Sequence, residues 1–446
     1  MNLKKLIFSA AAFAVVGVGA SMMMPGKAEA LPAFARQTGA ACLSCHFQTF
    51  PALTAFGRQF MMNSFTDVGD QSLIEDDNLS IPAVLNATFQ VRANTTHTSV
   101  SNQGSTTTYT VPDKAGIFIA GRVGSNTGVF LMFTGGQNQI GMGSLKGVNM
   151  NMGATPIWMV LNSWDVGDFK FGIGAHKSPW GGSNVMEVSN VFGHRGDKLA
   201  GQDLSAISNA GFTQMTTGLG TWVGNDMGYL QFSLIAPAIA TTGATNVGLT
   251  FGKLIRAVAT IDLGGWDTLI GVGYVTGSAG KGPATTVTNG ELTSVRVPMN
   301  LQFIDAQVQG EVGDMSLGVY ADWAHAKGKS GPGGAANFYG SGNWVMNTSM
   351  GMMGAGNVNS AGRKYDAYSI RAELEPVNRF LIGIGYGYRK LSRQGGDLTS
   401  KAYQLAATYK VYQNFDLNLV YNNEKETDAG VSTTTRTTLF EALIMM

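Results

Sequence analysis

The sequence is poor in cysteine, proline and charge, and each shortage excludes a class of protein. Two cysteines among 446 residues exclude a disulfide-stapled scaffold. Twelve prolines are too few for a proline-rich linker protein, and charged residues make up only 13%. A formal net charge of +1 argues against binding of nucleic acid. With 60 glycines and 44% apolar residues, the chain is too apolar to be disordered and indicates a β-rich fold in an unusual solvent.

Residues 1–30 have the pattern of a secretory signal peptide. Lys4 and Lys5 precede an apolar run over residues 6–20, and Ala28 and Ala30 form a small-x-small cleavage site. The alternative, a membrane anchor, is disfavoured because the run is short and no stop-transfer pattern follows. Beyond it, no segment reaches the roughly 18 consecutive apolar residues of a spanning helix. A mature chain from Leu31 could therefore cross a membrane only as a closed β-barrel, in which the backbone satisfies its own hydrogen bonds.

Both cysteines fall in one motif, Cys42-Leu43-Ser44-Cys45-His46. This C-x-x-C-H spacing is the attachment signature of haem c. The thiols of Cys42 and Cys45 would form thioethers to the macrocycle, and His46 would be the proximal ligand of the iron. The alternatives are a disulfide or half of a zinc site, although a zinc site would need two more cysteines or histidines nearby. We therefore expect one covalent haem c in a segment spanning residues 31–80.

The flanks of the motif predict two short helices. Thr38 is placed to cap the first, which would carry the motif, and Pro51 suits the first turn of the second. On the second helix, Leu53, Phe56 and Phe60 share one apolar face by helical spacing, and we interpret this face as a wall of the haem site.

The sixth ligand of the iron is less constrained by the sequence. Met61 points toward the apolar side of the second helix, whereas Met62 points roughly opposite, so Met61 is the favoured thioether ligand. His97, another histidine, or an open position are alternatives. The distinction matters because a methionine ligand raises the reduction potential relative to histidine.

The segment from 31 to 80 is too short to bury a sizeable core alone, so we expect it to lean on the rest of the chain. It ends at Glu75-Asp76-Asp77. This acidic run is interpreted as a solvated linker or, alternatively, as a transient contact site for Fe(II).

Residues 81–446 repeat a period-two pattern that predicts an all-β fold. In one example, Phe415, Leu417, Leu419 and Tyr421 alternate with Asp416, Asn418, Val420 and Asn422. About sixteen such segments follow one another, with aromatic residues favouring their ends. We predict a transmembrane antiparallel β-barrel of about 16 strands in a bacterial outer membrane, in contact with lipid.

Connection lengths predict how the barrel is oriented. Short connections alternate with longer ones, notably 97–114, 137–154, 178–210, 277–294 and 327–363. Outer-membrane barrels have short periplasmic turns and long outer loops, so both ends of the barrel segment should lie on the periplasmic side.

Several polar groups are predicted to face the lumen or its outer loops. The inward positions carry Arg92, Lys170, Asp322, Arg371, Glu373, Arg389, Lys410 and Asp416. They would solvate a wet lumen or, alternatively, dock the haem segment. The run from His194 to Lys198 follows the fifth strand, where general porins fold a loop inward, and is interpreted as a solvated loop, a constriction or an iron contact. The methionines from Met346 to Met353 are interpreted as unspecialised loop.

The combination resembles the outer-membrane monohaem cytochrome–porin fusion family of iron-oxidising bacteria. The likeness lies in Cys42–His46, in the preceding residues 31–39, and in the following Pro51-Ala52-Leu53 and Phe56-Gly57-Arg58-Gln59-Phe60. It implies a ferrous-iron oxidase of the Fe(II):cytochrome c type, with Cys42, Cys45 and His46 holding the haem. Electrons would pass from extracellular Fe(II) through one haem to a periplasmic cytochrome or other carrier.

Two other functions compete with this expectation. A haem-plugged, substrate-selective porin would use the barrel for passive transport. A haem peroxidase would need an open sixth position and a distal acid–base residue, and the haem segment has no second histidine.

Overall fold

The structure is a computed structural model and describes residues 33–48, 52–69, 71–76, 79–135, 139–140, 157–178, 204–212, 216–237, 251–279, 286–288, 291–293, 297–328, 337–341, 364–392, 396–412 and 414–446. Three short helices come first: α1 (Ala33–Thr38), α2 (Cys42–Cys45) and α3 (Ala55–Met62). A small hairpin follows, made of Leu73–Asp76 and Leu79–Pro82, which we call the rim hairpin. The predicted signal peptide lies outside the described residues.

Sixteen long antiparallel strands then close into one barrel, which confirms the predicted fold class and strand number. They are β1 (Ala87–Val100), β2 (Gly104–Arg122), β3 (Thr127–Gly135), β4 (Ile157–Val166), β5 (Phe169–Ser178), β6 (Thr216–Asn225), β7 (Gly228–Pro237), β8 (Gly252–Asp262), β9 (Asp267–Ala279), β10 (Leu301–Val312), β11 (Met315–Ala326), β12 (Lys364–Val377), β13 (Phe380–Ser392), β14 (Leu398–Tyr412), β15 (Phe415–Asp428) and β16 (Val431–Met445). Shorter pieces are the strands Gln139–Ile140, Thr286–Thr288, Glu291–Thr293 and Val297–Pro298 and the helices α4 (Ala206–Asn209) and α5 (Phe338–Ser341).

The seam of the barrel joins its first and last strands. β16 pairs with β1 from Met445 opposite Gln90 to Thr435 opposite Val100. Met446 extends this pairing, because its backbone N–H donates to the carbonyl oxygen of Phe89 at 2.7 Å. Both ends of the barrel segment thus lie at the edge formed by the short turns, the edge that outer-membrane barrels place in the periplasm.

The barrel wall is apolar outside, and much of its inner side is polar. On β15, Asn418 and Asn422 point inward and are buried, whereas Leu419 and Tyr421 point outward and are 47% and 36% exposed. The alternation follows from the strand pleat, which sends successive side chains to opposite faces. An exposed apolar band around a closed sheet is the surface that lipid covers. In the part of the chain that the structure describes, no helix is long and apolar enough to span a bilayer.

The prediction of one outer loop is wrong. Residues 97–114 were expected to form a long loop, but β1 and β2 continue through them and are joined by Ser101–Gln103. Likewise, β15 and β16 extend to Asp428 and Val431. These extensions are rich in threonine on both faces, so they lack the apolar alternation by which the sequence marks a strand in lipid.

The outer half of the lumen contains an apolar core. Residues 204–212 and 337–341 fold into the lumen from the connections after β5 and β11, and we call them the inner cap. Ile207, Phe212 and Tyr339 pack there against Phe303 and other inward side chains of the barrel wall. Asp322 of β11 anchors the inner cap by accepting hydrogen bonds from Ser205 Oγ at 2.6 Å and from the backbone N–H of Ala206 and Ile207 at 3.0 Å. Residues 204–212, which follow β5 in the chain, therefore lie in the lumen. The interpreted runs His194–Lys198 and Met346–Met353 lie outside the described residues.

Candidate functional site: a motif-bearing plug in the periplasmic mouth

The segment that carries the cysteine motif lies inside the barrel mouth. We call residues 33–48 and 52–69 the plug. Ala33 N donates to Thr88 Oγ1 of β1 at 2.6 Å, and Gln48 Nε2 donates to the carbonyl oxygen of Ser316 on β11 at 2.8 Å. Trp222 Nε1 of β6 donates to the carbonyl oxygen of Met62 at 3.3 Å. These strands are spread around the ring.

The wall residues that hold the plug all lie close to the periplasmic strand ends. Arg58 Nη2 lies 2.5 Å from both carboxylate oxygens of Asp267, the first residue of β9. Lys410, near the end of β14, donates through Nζ to the carbonyl oxygen of Gln48 at 3.2 Å and pairs with Glu375 at 2.9 Å. The plug therefore occupies the periplasmic mouth. Docking of this segment was one of the two roles proposed for the inward charges, and Lys410 has that role.

The motif itself forms one helical turn followed by a reversal of the chain. Cys42 and Cys45 are free thiols on α2, and both are half-buried. The backbone N–H of His46 donates to the carbonyl oxygen of Cys42 at 2.9 Å, after which His46 is bridged to Leu53. The turn sets the two sulfur atoms and the histidine on one compact unit, as the sequence spacing predicts.

Helix α3 packs unusually close to this turn. Thr54 caps α3 by accepting from the N–H of Gly57 at 3.2 Å, and its own hydroxyl donates to the carbonyl oxygen of Ser44 at 2.7 Å. A Cβ at Gly57 would collide with the carbonyl oxygen of Cys45. The glycine therefore permits the close approach of α3 to the motif.

Helix boundaries in the plug differ from those predicted. Thr38 is the last residue of α1 and donates to the carbonyl oxygen of Phe34, while the motif helix starts after Ala41 with no side-chain cap. Helix α3 begins at Ala55, where Thr54 caps it, and not at the predicted Pro51. Leu53, which precedes the cap, is bridged to His46.

The expected apolar face of α3 is divided between two environments. Phe60 is buried against Phe34 and Phe65, with ring centroids 5.0 and 5.7 Å away, in a cluster shared with Trp222 of the wall. Phe56 is instead 49% exposed. Leu53 is buried but precedes the helix, so it does not continue the face by helical spacing.

The surface around the cysteines fits a covalent haem c. Two apolar side chains beside the cysteines are exposed. Phe56 is 49% exposed and adjoins Gly57, which packs on Cys45. Leu43 is 43% exposed and lies between the two cysteines in the sequence. Apolar side chains left uncovered beside two free thiols and a histidine match the donor set and the apolar contact that a macrocycle needs. The residues that would hold it are Cys42, Cys45 and His46.

The predicted sixth ligand remains a prediction. Met62 is buried in the cluster with Phe60 and Trp222, which agrees with its expected direction away from the motif. Met61 is half-buried and packs against the same cluster. His97 lies nine residues along β1 from Thr88, about 30 Å at 3.3 Å per residue, and its Nδ1 lies 2.9 Å from Thr107 Oγ1. His97 thus belongs to the outer part of the barrel, away from the motif.

Two carboxylates lie near the motif. Burial raises the pKa of the Cys42 thiol, and the charge of Asp416 on the wall contributes in the same direction. Burial likewise raises the pKa of Cys45, with smaller contributions from Cys42 and Asp67. Burial is the largest cause for both thiols, so the surroundings of the motif disfavour the thiolate form of either cysteine. Among the described residues, no group of three or more histidine, cysteine, aspartate or glutamate side chains is placed to hold a metal ion.

Gln37 is an anchor that the sequence analysis missed. Its side chain is fully buried, and its Nε2 donates to the carbonyl oxygens of Phe65 and Asp67 at 2.6 and 2.8 Å. Its Oε1 accepts from the N–H of Arg122 at the end of β2 at 3.0 Å. A glutamine that joins both ends of the plug to the wall carries no local sequence signal, because its partners are distant backbone groups.

Beside the inner cap, a pocket opens along the wall of β12–β15. Its empty space, which includes open solvent, is about 310 Å³. Arg389 pairs there with Glu424 and also donates to Asn209 Oδ1 of the inner cap at 2.7 Å. Arg389 was predicted to face the lumen, and the structure shows it tying the inner cap to the barrel wall.

The fold and its plug define a class of protein: a porin-like β-barrel of the bacterial outer membrane with a helical segment in its periplasmic mouth. No family model and no curated protein matches the sequence. The chain is similar to OprB of Pseudomonas putida at 11% identity, with a TM-score of 0.50 over 81% of this chain and 94% of that chain. It is also similar to the channel DcaP of Acinetobacter baumannii, at 11% identity and a TM-score of 0.48 over 81% and 97% of the two chains. An anion-selective porin from Comamonas acidovorans matches at 11% identity with a TM-score of 0.47, over 81% of this chain and 99% of that chain. At these identities the likeness shows the fold alone.

Proposed function

We propose that this barrel is an electron conduit, in which a haem c on the plug takes electrons from extracellular Fe(II) and delivers them to a periplasmic carrier. The observation that carries the proposal is the position of the motif. Cys42, Cys45 and His46 lie on a segment held inside a membrane barrel, at the mouth that faces the periplasm.

Each group of residues has a distinct part in this function. Cys42 and Cys45 would fix the haem, and His46 would bind its iron. Haem supplies one-electron transfer when it is bound. Arg58, Gln37 and Gln48 hold the plug to the wall, which keeps the site at a fixed place in the mouth.

The filling of the lumen supports transfer of electrons rather than of solutes. On β11, Tyr320 contacts the plug through Ala52, and Asp322, two residues farther, anchors the inner cap. The wall residues that contact the plug and the inner cap therefore lie about 7 Å apart along this strand. A lumen occupied by two segments of the chain supports electron transfer through the plug over free passage of solutes.

The test is reduction of the haem by Fe(II) in the purified protein. Stopped-flow mixing of oxidised holoprotein in nanodiscs with anaerobic Fe(II) should shift the haem absorbance to the reduced form. His46→Ala should abolish this shift, whereas His97→Ala, a matched histidine in the outer part of β1, should leave it unchanged. In proteoliposomes, enclosed oxidised cytochrome c should be reduced by external Fe(II) while an enclosed ferrous chelator stays uncoloured.

Two results would end the proposal. One is a haem that Fe(II) fails to reduce at both acidic and neutral pH while dithionite reduces it. The other is reduction of the enclosed carrier only when Fe(II) itself enters.

The second candidate is a substrate-selective porin whose plug restricts the lumen. The specific observation in its favour is the likeness of the barrel to OprB of Pseudomonas putida, so the barrel comparisons support this alternative more than they support electron transfer. It predicts ion conductance through the wild-type protein in planar bilayers and no reduction of the haem by Fe(II).

A further inference from the structure

The lipid-facing side of β14 changes from apolar to basic toward the outer end of the strand. Its outward side chains run from Tyr412 and Tyr409, near the short turn, to Leu405 and Tyr403, which is 60% exposed. Because successive side chains alternate between the two faces of a strand, the next outward position is Lys401. The side chain of Lys401 is exposed.

The tyrosines of β14 mark the two edges of the apolar band. Tyr412 and Tyr403 are nine residues apart, about 30 Å of strand. A strand tilt of roughly 40° turns this length into about 23 Å along the membrane normal, close to the ~25 Å height of the band in outer-membrane barrels. Tyr403 continues into Tyr386 and Tyr368 of the neighbouring strands, with successive ring centroids 5.0 and 6.1 Å apart. This row is an aromatic girdle, so Lys401 lies at the level of the outer lipid headgroups.

Two further basic residues stand beside Lys401. Lys425 of β15 is directly opposite Lys401 in the strand register. Arg436 of β16 is opposite Asn423, two residues before Lys425. Residues directly opposite each other have Cβ atoms about 5 Å apart, and diagonal neighbours about 7–8 Å. All three basic side chains are exposed, and we call Lys401, Lys425 and Arg436 the outer basic cluster.

The charge of the outer basic cluster is not balanced by a carboxylate among the residues that the structure describes. On the neighbouring strand β13, by contrast, Lys390 pairs with Asp397 at 2.7 Å. Glu424 and Glu426 flank Lys425 in the chain, so alternation places them on the lumen face of β15. Like charges directly opposite each other destabilise a pair of strands. The cluster is therefore unfavourable until an anion joins it.

We propose that the outer basic cluster binds the phosphate groups of a phosphorylated lipid of the outer leaflet, the class to which lipopolysaccharide belongs. A phosphate between Lys401 and Lys425 relieves their repulsion, and the guanidinium of Arg436 matches phosphate oxygens with two parallel donors. The acyl chains of the same lipid would cover Tyr403 and Leu405 below the cluster. A soluble anion would make no use of this apolar surface, so the position favours lipid. The site lies outside the barrel and is independent of the proposed function.

The test measures binding of lipid A, the phosphorylated glycolipid of lipopolysaccharide, to the full-length protein in uncharged detergent micelles. Lys401→Gln, Lys425→Gln and Arg436→Gln should each weaken binding about five-fold at low ionic strength, the contribution of one basic residue near an anionic lipid surface. The difference should fade as salt screens the charges. With lipid A whose phosphates a phosphatase has removed, wild type and variants should bind equally weakly.

The matched control is Lys253→Gln. Lys253 is an exposed lysine near the outer end of β8, on the opposite side of the ring. Its cross-strand neighbours are Leu234 and Thr276, so it has no second cation beside it. The variant makes the same substitution at the same edge of the barrel and should bind lipid A like wild type.

Two results would overturn the site. One is equal affinity of wild type and the double variant Lys401→Gln/Lys425→Gln for lipid A that carries its phosphates, with heat-modified mobility showing that the variant barrel is folded. The other is displacement of the lipid by inorganic phosphate beyond that caused by chloride at the same ionic strength, because it would assign the cluster to a free anion. Reduction of the haem by Fe(II) is measured separately, so the proposed function stands or falls on its own test.

Discussion

Arg58 of the plug and Asp267 of the barrel wall form the ion pair that joins α3 to the start of β9. The Arg58 side chain is only 5% exposed, and its Nη2 lies 2.5 Å from Asp267 Oδ2. The pair attaches helix α3, which lies beside the motif, to the end of a strand of the barrel.

The first prediction concerns this pair. Arg58→Ala should weaken docking of the plug by roughly 2 kcal/mol, because it leaves the carboxylate of Asp267 without its charged partner. Hydrogen–deuterium exchange should show faster exchange in residues 52–69 with an intact barrel. Arg36→Ala, which removes a half-buried arginine of the same plug, is the control. Unchanged exchange in Arg58→Ala would contradict an anchoring role.

The second prediction opposes helix propensity. Alanine is about 1 kcal/mol better than glycine in a helix interior, yet Gly57→Ala should destabilise the plug by about 1–3 kcal/mol because its Cβ collides with the carbonyl oxygen of Cys45. The measurement is the denaturant midpoint followed by the haem absorbance. Gln59→Ala on the same helix should have little effect. A stabilised Gly57→Ala protein would show that α3 does not pack on the motif.

The third prediction concerns attachment of the haem. The Cys42→Ala/Cys45→Ala double variant should lose covalent haem, since no thiol remains to form a thioether. The barrel should still insert, because its backbone hydrogen bonds close without the plug. Haem-stained gels and the heat-modified mobility of the barrel measure the two outcomes separately. Normal haem staining of the double variant would refute the haem site.

The fourth prediction separates the two methionines of α3. If Met61 is the sixth ligand, Met61→Ala should lower the reduction potential and remove the absorbance of sulfur ligation. Met62→Ala should instead cost stability through a cavity, about 2–5 kcal/mol, with the ligation spectrum retained. An unchanged spectrum and potential in Met61→Ala would eliminate this ligand.

The sequence predicts the barrel well and the plug contacts poorly, for one physical reason. The alternation of apolar and polar residues along a strand in lipid is a local signal. Leu419 therefore predicts the lipid-facing side of its strand, and Asn418 predicts the side that faces the lumen. Where β1 and β2 leave the membrane, the signal is lost and threonines on both faces resemble a loop. The contacts of Gln37 and Gln48 depend on strands far away in the chain, so no local pattern announces them.

The motif was predictable because its chemistry needs adjacent residues. Cys42, Cys45 and His46 lie within five positions, and one helical turn brings them together. Gly57 could have been suspected from the close spacing of the two helices, but only the packed structure explains it.

The seam between β1 and β16 has a consequence for assembly. These strands come from opposite ends of the barrel segment, so their pairing closes the largest loop of the sheet and carries the largest entropic cost of closure. Until they meet, β1 and β16 are unprotected edges able to pair with another chain. Deleting β16 would therefore leave an open sheet with two unpaired edge strands. The plug would lose the closed ring of strands that surrounds it.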